Sequence, residues 1–231
     1  MSRTSAVYAL LKRDIVACVL PPGESFSELQ LGKRYRASRT PVREACRQLE
    51  SEGLVVIIPF RGYFIAPLTV ADFYNLQEVQ SVVDPAAAEL AAQRASPEQL
   101  RAMAECANYE YKAGDRDTYH EFLERNLRLH VGIAEASGNS YLKKIVSDVH
   151  TRLMRFFYLC LSMDSYGLQL VREHCDIVDA IQAGDSERAR RCAAEHVTNT
   201  IQRSASLFLA PAEKRSRGVF HASALQNELV L

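Results

Sequence analysis

No stretch of the 231 residues reaches the run of about 18 apolar side chains that a helix needs to cross a bilayer. Nor does a long apolar run follow the opening Met-Ser-Arg-Thr-Ser, so no secretory leader is expected and the cytoplasm is the expected compartment. The six cysteines, at 18, 46, 106, 160, 175 and 192, show no CxxC spacing, which argues for reduced, mostly buried thiols. HExxH is absent, as are internal repeats and low-complexity segments, and beyond residue 67 no convincing strand pattern occurs. Net charge is missing too, because 28 Lys and Arg balance 28 Asp and Glu. That balance conceals an asymmetry. Through Ala66 ten basic residues face six acidic ones, a balance of +4, and the remainder has eighteen against twenty-two. Only the first part has the electrostatic sign that phosphate attracts, and the excess is modest enough to call for two copies acting together.

What is present is a stretch organised for that task. Residues 38–53 open with Ser38 at an N-cap position, carry Pro41 in the first turn and end at Gly53, the residue that best closes a helix in the left-handed conformation. Val42, Ala45, Cys46 and Leu49 recur at helical spacing as an apolar stripe, while Arg39, Arg43 and Arg47 form a row on another face that packing does not consume. Upstream, Ser27-Glu28-Leu29-Gln30 has capping-box spacing and starts a helix to about Tyr35, linked tightly through Arg36-Ala37. Downstream, residues 54–58 and 63–66 read as two strands joined by Pro59-Phe60-Arg61-Gly62. The succession of cap, turn, helix, stop and hairpin describes a winged helix-turn-helix, in which a second helix enters the major groove. A solvated basic helix beside an ordinary hairpin is the plainer alternative, and the register of the elements speaks against it.

Residues 27–66, with SEL, SRTPVREACRQLESEGLV and the glycine-containing wing, resemble the winged helix-turn-helix of the GntR family of bacterial transcription regulators. The resemblance implies that Arg39, Thr40 and Arg43 touch DNA, that Ser38 lies near phosphate, and that Arg61 and Gly62 form the wing tip. It also implies double-stranded operator DNA as partner.

A helix over 5–19, with Val7, Leu10, Leu11, Val16 and Val19 as apolar contacts, is expected behind this module. The domain boundary is expected near residue 67, giving a DNA-binding domain over 1–67, a helical domain over 68–211 and a loose tail over 212–231. The helical segments are 70–95, interrupted or bent at Pro85, then 97–113, 116–137, 140–162, 168–183 and 186–209. The fold class is thus mainly α, a winged module followed by an all-α antiparallel bundle.

Inside the bundle, Asn126 and His130 lie one turn apart on one face. His174 precedes the Gly184 turn by ten residues and His196 follows it by twelve, so helices folded back there bring both imidazoles to nearly the same height. Three imidazoles and an amide oxygen suit a divalent ion of borderline softness, zinc foremost, with nickel or another ion possible. The plainer alternative is a set of partly buried histidines bonded to carbonyls. Residues 122–139 and 172–196, together with LQEVQSVVDPAAAELAA, resemble the FCD effector domain of GntR regulators. That resemblance implies a metal held by a D-x-x-x-H pair and two more histidines at the base of an effector pocket, and a homodimer formed through this domain. Two departures stand out: Asn126 occupies the Asp position, and Gln80 replaces an arginine that would favour an anionic effector. Arg152 or Arg155 can supply the missing charge, and His150 is a pocket or flanking candidate. Cys192, one turn before His196, can line the pocket or sense oxidation, although a buried structural thiol is the better expectation.

The expected function is a non-enzymatic, ligand-responsive regulator, a repressor of a catabolic operon relieved by a small organic acid. Two rivals are a regulator for which the ion is itself the signal, and a metal-dependent hydrolase. Against the hydrolase, no carboxylate can be assigned as general base from the sequence.

Overall fold

The computed structural model describes residues 2–112, 115–161 and 167–208. These divide into two compact units, one running to Thr69 and the other beginning at Val70. The expected tail over 212–231, with His221, lies outside the described residues.

In the first unit, α1 (Arg3–Val16), α2 (Glu28–Tyr35) and α3 (Arg39–Ser51) surround one apolar core of Val7, Leu11, Ile15, Leu31, Val42, Ala45, Cys46 and Leu49. Helix α1 stops at Val16 rather than continuing to residue 19, because Cys18 turns to φ +50° and the amides of Val19 and Leu20 fold back onto the Asp14 carbonyl. Val19 is consequently exposed, and Leu10, on the outer face of α1, is exposed as well, so neither contributes to the core. The second helix carries its capping box, with Ser27 and Gln30 bonded reciprocally. Its exit needs Gly32: a Cβ there would stand 2.8 Å from the Ala37 carbonyl oxygen, where the Ala37 amide donates to the Gly32 carbonyl. The end of α3 is a Schellman closure in which Leu54 donates to Leu49 and Gly53, at φ +73°, donates to Glu50.

Strands β2 (Val55–Ile58) and β3 (Gly62–Ile65) pair antiparallel with Ile58 opposite Gly62. A third strand was not anticipated: β1 (Ser25–Phe26) joins the far edge of β3, giving the order β1-β3-β2. Two residues are too few for a period-two pattern to register.

The second unit is helical among the described residues, comprising α4 (Val70–Arg94), α5 (Pro97–Ala107), α6 (Arg116–Ala136), α7 (Ser140–Leu161), α8 (Gly167–Gln182) and α9 (Ser186–Phe208). Helix α4 packs against α9, α6, α7 and α8, so it is the axis of the bundle. Its inner face is built of small residues, Ala87, Ala88 and Ala91, which let neighbours approach. Helix α5 ends at Ala107 rather than running to 113. The chain leaves it so that Tyr111, fully buried, can set its ring 5.4 Å from Tyr119 and 5.2 Å from Phe122. No helix is long and apolar enough to cross a membrane among the described residues.

Candidate DNA-binding face and candidate metal centre

The two faces of α3 separate cleanly. Pro41, Val42, Ala45, Cys46 and Leu49 are buried, whereas Arg39, Thr40, Arg43 and Arg47 are exposed. Ser38 takes the N-cap position with extended backbone, but its hydroxyl makes no cap hydrogen bond and so remains open to another acceptor or donor. Burial pushes the Cys46 thiol up to about 12, making it an inert part of the core. The wing tip presents exposed Arg61 between Phe60, at φ +63° and fully exposed, and Gly62 at φ +102°.

Arg43 is not loose. Its Nε donates to Glu28 Oε1 at 2.7 Å and its Nη2 to Oε2 at 3.0 Å, while the Tyr63 hydroxyl donates to the same Oε1 at 2.7 Å. Those bonds, Arg43's first and Tyr63's second, hold the Glu28 carboxyl down at about 2.

In the second unit the structure brings His130 from α6, His174 from α8 and His196 from α9 together, with one ring nitrogen of each within 4.8 Å of the others. All three are buried, and their ring centroids are 5.5, 5.4 and 4.8 Å apart for the pairs 130–174, 130–196 and 174–196. Asn126, Gln80 and His150 line the adjoining cavity with Phe122, Leu123, Phe157, Leu170, Thr200, Arg203 and Ser204. The cavity holds about 510 Å³ of empty space, part of it open to solvent.

The orientation of the rings tests whether an ion fits. His196 Nδ1 donates to Glu173 Oε2 at 2.8 Å, and His130 Nδ1 lies 3.4 Å from Asp84 Oδ2. A carboxylate behind one ring nitrogen is the arrangement that turns the other towards a metal and makes it more basic. The Nε2 atoms of His130 and His174 are buried without a hydrogen-bond partner, a state that costs roughly 1–3 kcal/mol per group unless a bound group satisfies them. Burial first, then His150, brings His130 down to about 4, and burial likewise lowers His174, so both present neutral lone pairs at neutral pH. The donor set therefore fits a divalent ion such as zinc.

Asp84 and His150 form a second layer. His150 Nε2 donates to Asp84 Oδ2 at 2.9 Å, and Gln80 Nε2 donates to the same oxygen at 2.9 Å. Burial alone would raise the Asp84 carboxyl; its interactions with His150 and His130 outweigh that and keep the group ionised. One ligand atom each of Asp84, His130 and His150 also lies within 4.8 Å of the others, but the hydrogen bonds to Oδ2 make Asp84 a support for His130. Glu173 is tied to Arg203 by two bonds of 2.7 and 2.8 Å and to Asn199 at 3.0 Å. Its own burial raises it, yet Arg203 and His196 bring it down to about 2.

Sequence reasoning missed Asp84, Glu173 and Arg203. An acidic residue standing one turn after Gln80 in an otherwise apolar run was the available signal for the first. Arg152 is a correction: it is exposed and does not line the cavity, whereas Arg155, three residues on, is buried. The difference is helical phase, since the face of α7 that carries His150 continues to residues 153 and 154 rather than to 152. His120 and Cys192 do not join the histidine cluster, and burial raises the Cys192 thiol.

Comparison with known proteins gives two matches to family models. Residues 75–199 match the FCD domain, and residues 3–65 match bacterial regulatory proteins of the gntR family. The chain is 27% identical over 191 residues to the HTH-type transcriptional repressor RspR of Escherichia coli (strain K12), covering 83% of this chain and 84% of that one. It is 25% identical over 224 residues to the galactonate operon transcriptional repressor of the same organism, covering 88% and 97%. Among solved structures, E. coli McbR/YncC superposes with a TM-score of 0.73 at 18% identity, over 90% of this chain and 99% of that one, a likeness of fold.

Proposed function

The chain belongs to the GntR family of bacterial regulatory proteins and carries an FCD domain, which makes it a DNA-binding transcription regulator and not an enzyme; from that premise we propose a repressor released by a small organic acid bound beside a divalent metal. Asn126, His130, His174 and His196 hold the ion, zinc by preference. The observation that carries this reading is the pair of buried, partnerless Nε2 atoms of His130 and His174 within one close cluster of three histidines, with carboxylates beside Nδ1 of His130 and His196. The metal, when bound, supplies a Lewis-acidic position for a ligand oxygen.

Charge supports an acid as the effector. Asp84 and Glu173 contribute two negative charges to the site and Arg203 one positive, so a divalent ion leaves the group at +1, which one carboxylate neutralises. Arg155, buried farther along α7, adds to the positive side. The apolar wall of Phe122, Leu123, Phe157 and Leu170 favours an organic ligand over the bare ion as the signal. Repression accords with the roles named for RspR and the galactonate operon repressor.

On the DNA side, Ser38, Arg39, Thr40 and Arg43 meet the major groove, with Arg61 and Gly62 at the wing. Two copies bind the two halves of an operator. A homodimer is supported by apolar side chains left exposed on α4 and α7, which pack against one another: Tyr74, Val79 and Val82 on the first, Tyr141 and Ile145 on the second.

The test is the metal content, by mass spectrometry, of protein purified without chelator or nickel resin, beside His174→Ala. About one ion per subunit in the parent and none in the variant is expected. A parent that is empty and cannot be loaded refutes the metal, and carboxylates that leave operator affinity unchanged refute the effector.

A further inference from the structure

The three-way contact of Glu28, Arg43 and Tyr63 joins α2, α3 and β3 at the surface that the proposed reading turns towards DNA. An acidic residue there is paradoxical, since it repels phosphate. Its position is nevertheless well fixed. Glu28 opens α2, where the amide ends of the helix favour a carboxylate, and its side chain is only 16% exposed against 52% for Arg43.

The guanidinium geometry resolves the paradox. Glu28 takes the edge of Arg43 that carries Nε and Nη2, in a fork-to-fork pairing. The other edge, Nη1 with Nη2, is the pair of parallel donors that matches O6 and N7 of a guanine in the major groove. Held from behind, the fork cannot swing to a phosphate, and with its charge cancelled it gains little from doing so. Arg39 and Arg47, one turn away on either side and exposed, make no hydrogen-bonded pair with Glu28 and stay available to the backbone phosphates.

We infer that Glu28 is a specificity-determining positioning residue: it aims Arg43 at a base and withholds it from the phosphates, with Tyr63 locking the carboxylate in place. This rests on the reading that α3 enters the major groove. Arg43 thus adds to discrimination between sequences and little to general affinity.

The experiment compares full-length parent, E28Q, Y63F and R43A on a duplex enriched by the parent from a random-sequence pool and on a shuffled duplex of equal composition, across a salt series. E28Q frees one cation per subunit. On shuffled DNA its affinity should rise about fivefold at 0.15 M salt, and the slope of log K against log salt should steepen by about 0.9 per subunit. On the enriched duplex a misaligned fork should lower affinity by about 5- to 150-fold. Y63F, which retains both charges, should weaken the enriched duplex alone and leave the slope unchanged. If E28Q lowers both affinities in parallel with an unchanged slope, Glu28 is merely structural and the inference fails. If R43A binds the enriched duplex as the parent does, or no sequence is enriched, the placement of α3 on DNA fails instead.

Discussion

Adding one equivalent of zinc in slight excess to chelator-treated protein should raise the unfolding temperature of the helical unit and leave that of the DNA-binding unit unmoved. The ligands come from three separate helices, α6, α8 and α9, and converge only when these pack together, so the unfolded chain offers no comparable site and binding is stabilisation. At free metal one hundred times the dissociation constant, linkage gives about 2.7 kcal/mol. For a unit of this size each kcal/mol moves the midpoint by about 2–4 °C, so the shift should be roughly 5–11 °C. Differential scanning calorimetry reads both units in one experiment, because only one transition should respond. His174→Ala should lose the response while gaining stability in the metal-free state or holding it, since a buried nitrogen without a partner has been removed. An unchanged midpoint in the loaded parent, or an equal shift in His174→Ala, would refute the arrangement of ligands.

Asp84→Asn should weaken metal binding about 10- to 100-fold while the fold persists, as expected for a carboxylate behind a ligand imidazole, and competition with a chromogenic chelator measures it. Gly32→Ala should destabilise the DNA-binding unit by roughly 1–3 kcal/mol, because its Cβ would press on the Ala37 carbonyl at 2.8 Å; chemical denaturation with the same midpoint as the parent would contradict this. The carboxyl of Glu28 should titrate near 2 by NMR and return towards 4.5 in Arg43→Ala. Since its folded value lies below its unfolded one, its contribution to stability is complete above about pH 4.5 and disappears as pH falls towards 2.

The helix-turn-helix was legible because every signal in it is local: Ser27 caps with Gln30, Gly53 closes α3, and the buried and exposed stripes of α3 follow directly from 3.6-residue periodicity. The mainly α fold class and the order of segments were equally readable. The convergence of His174 and His196 followed from their distances to Gly184, which does turn the chain at φ +70° between α8 and α9. What could not be read were partners set by packing. Asp84 meets His150 across 66 positions of sequence, and Arg203 meets Glu173 across 30, and neither pair has a spacing rule. Strand β1 was invisible for a related reason: it exists only because β3 has an edge to offer.

Pro85 has no amide hydrogen, so the helical ladder of α4 has a missing rung at the Ser81 carbonyl, next to the carboxylate on which Gln80, His130 and His150 converge. From that rung the helix runs back about 16 Å to Val70, the residue after the first unit's Thr69. At that turn α4 is held by one backbone hydrogen bond fewer than along the rest of its interior. Replacing Pro85 with alanine would restore the missing donor, and the turn that carries Asp84 would then be held by the same ladder as the rest of α4.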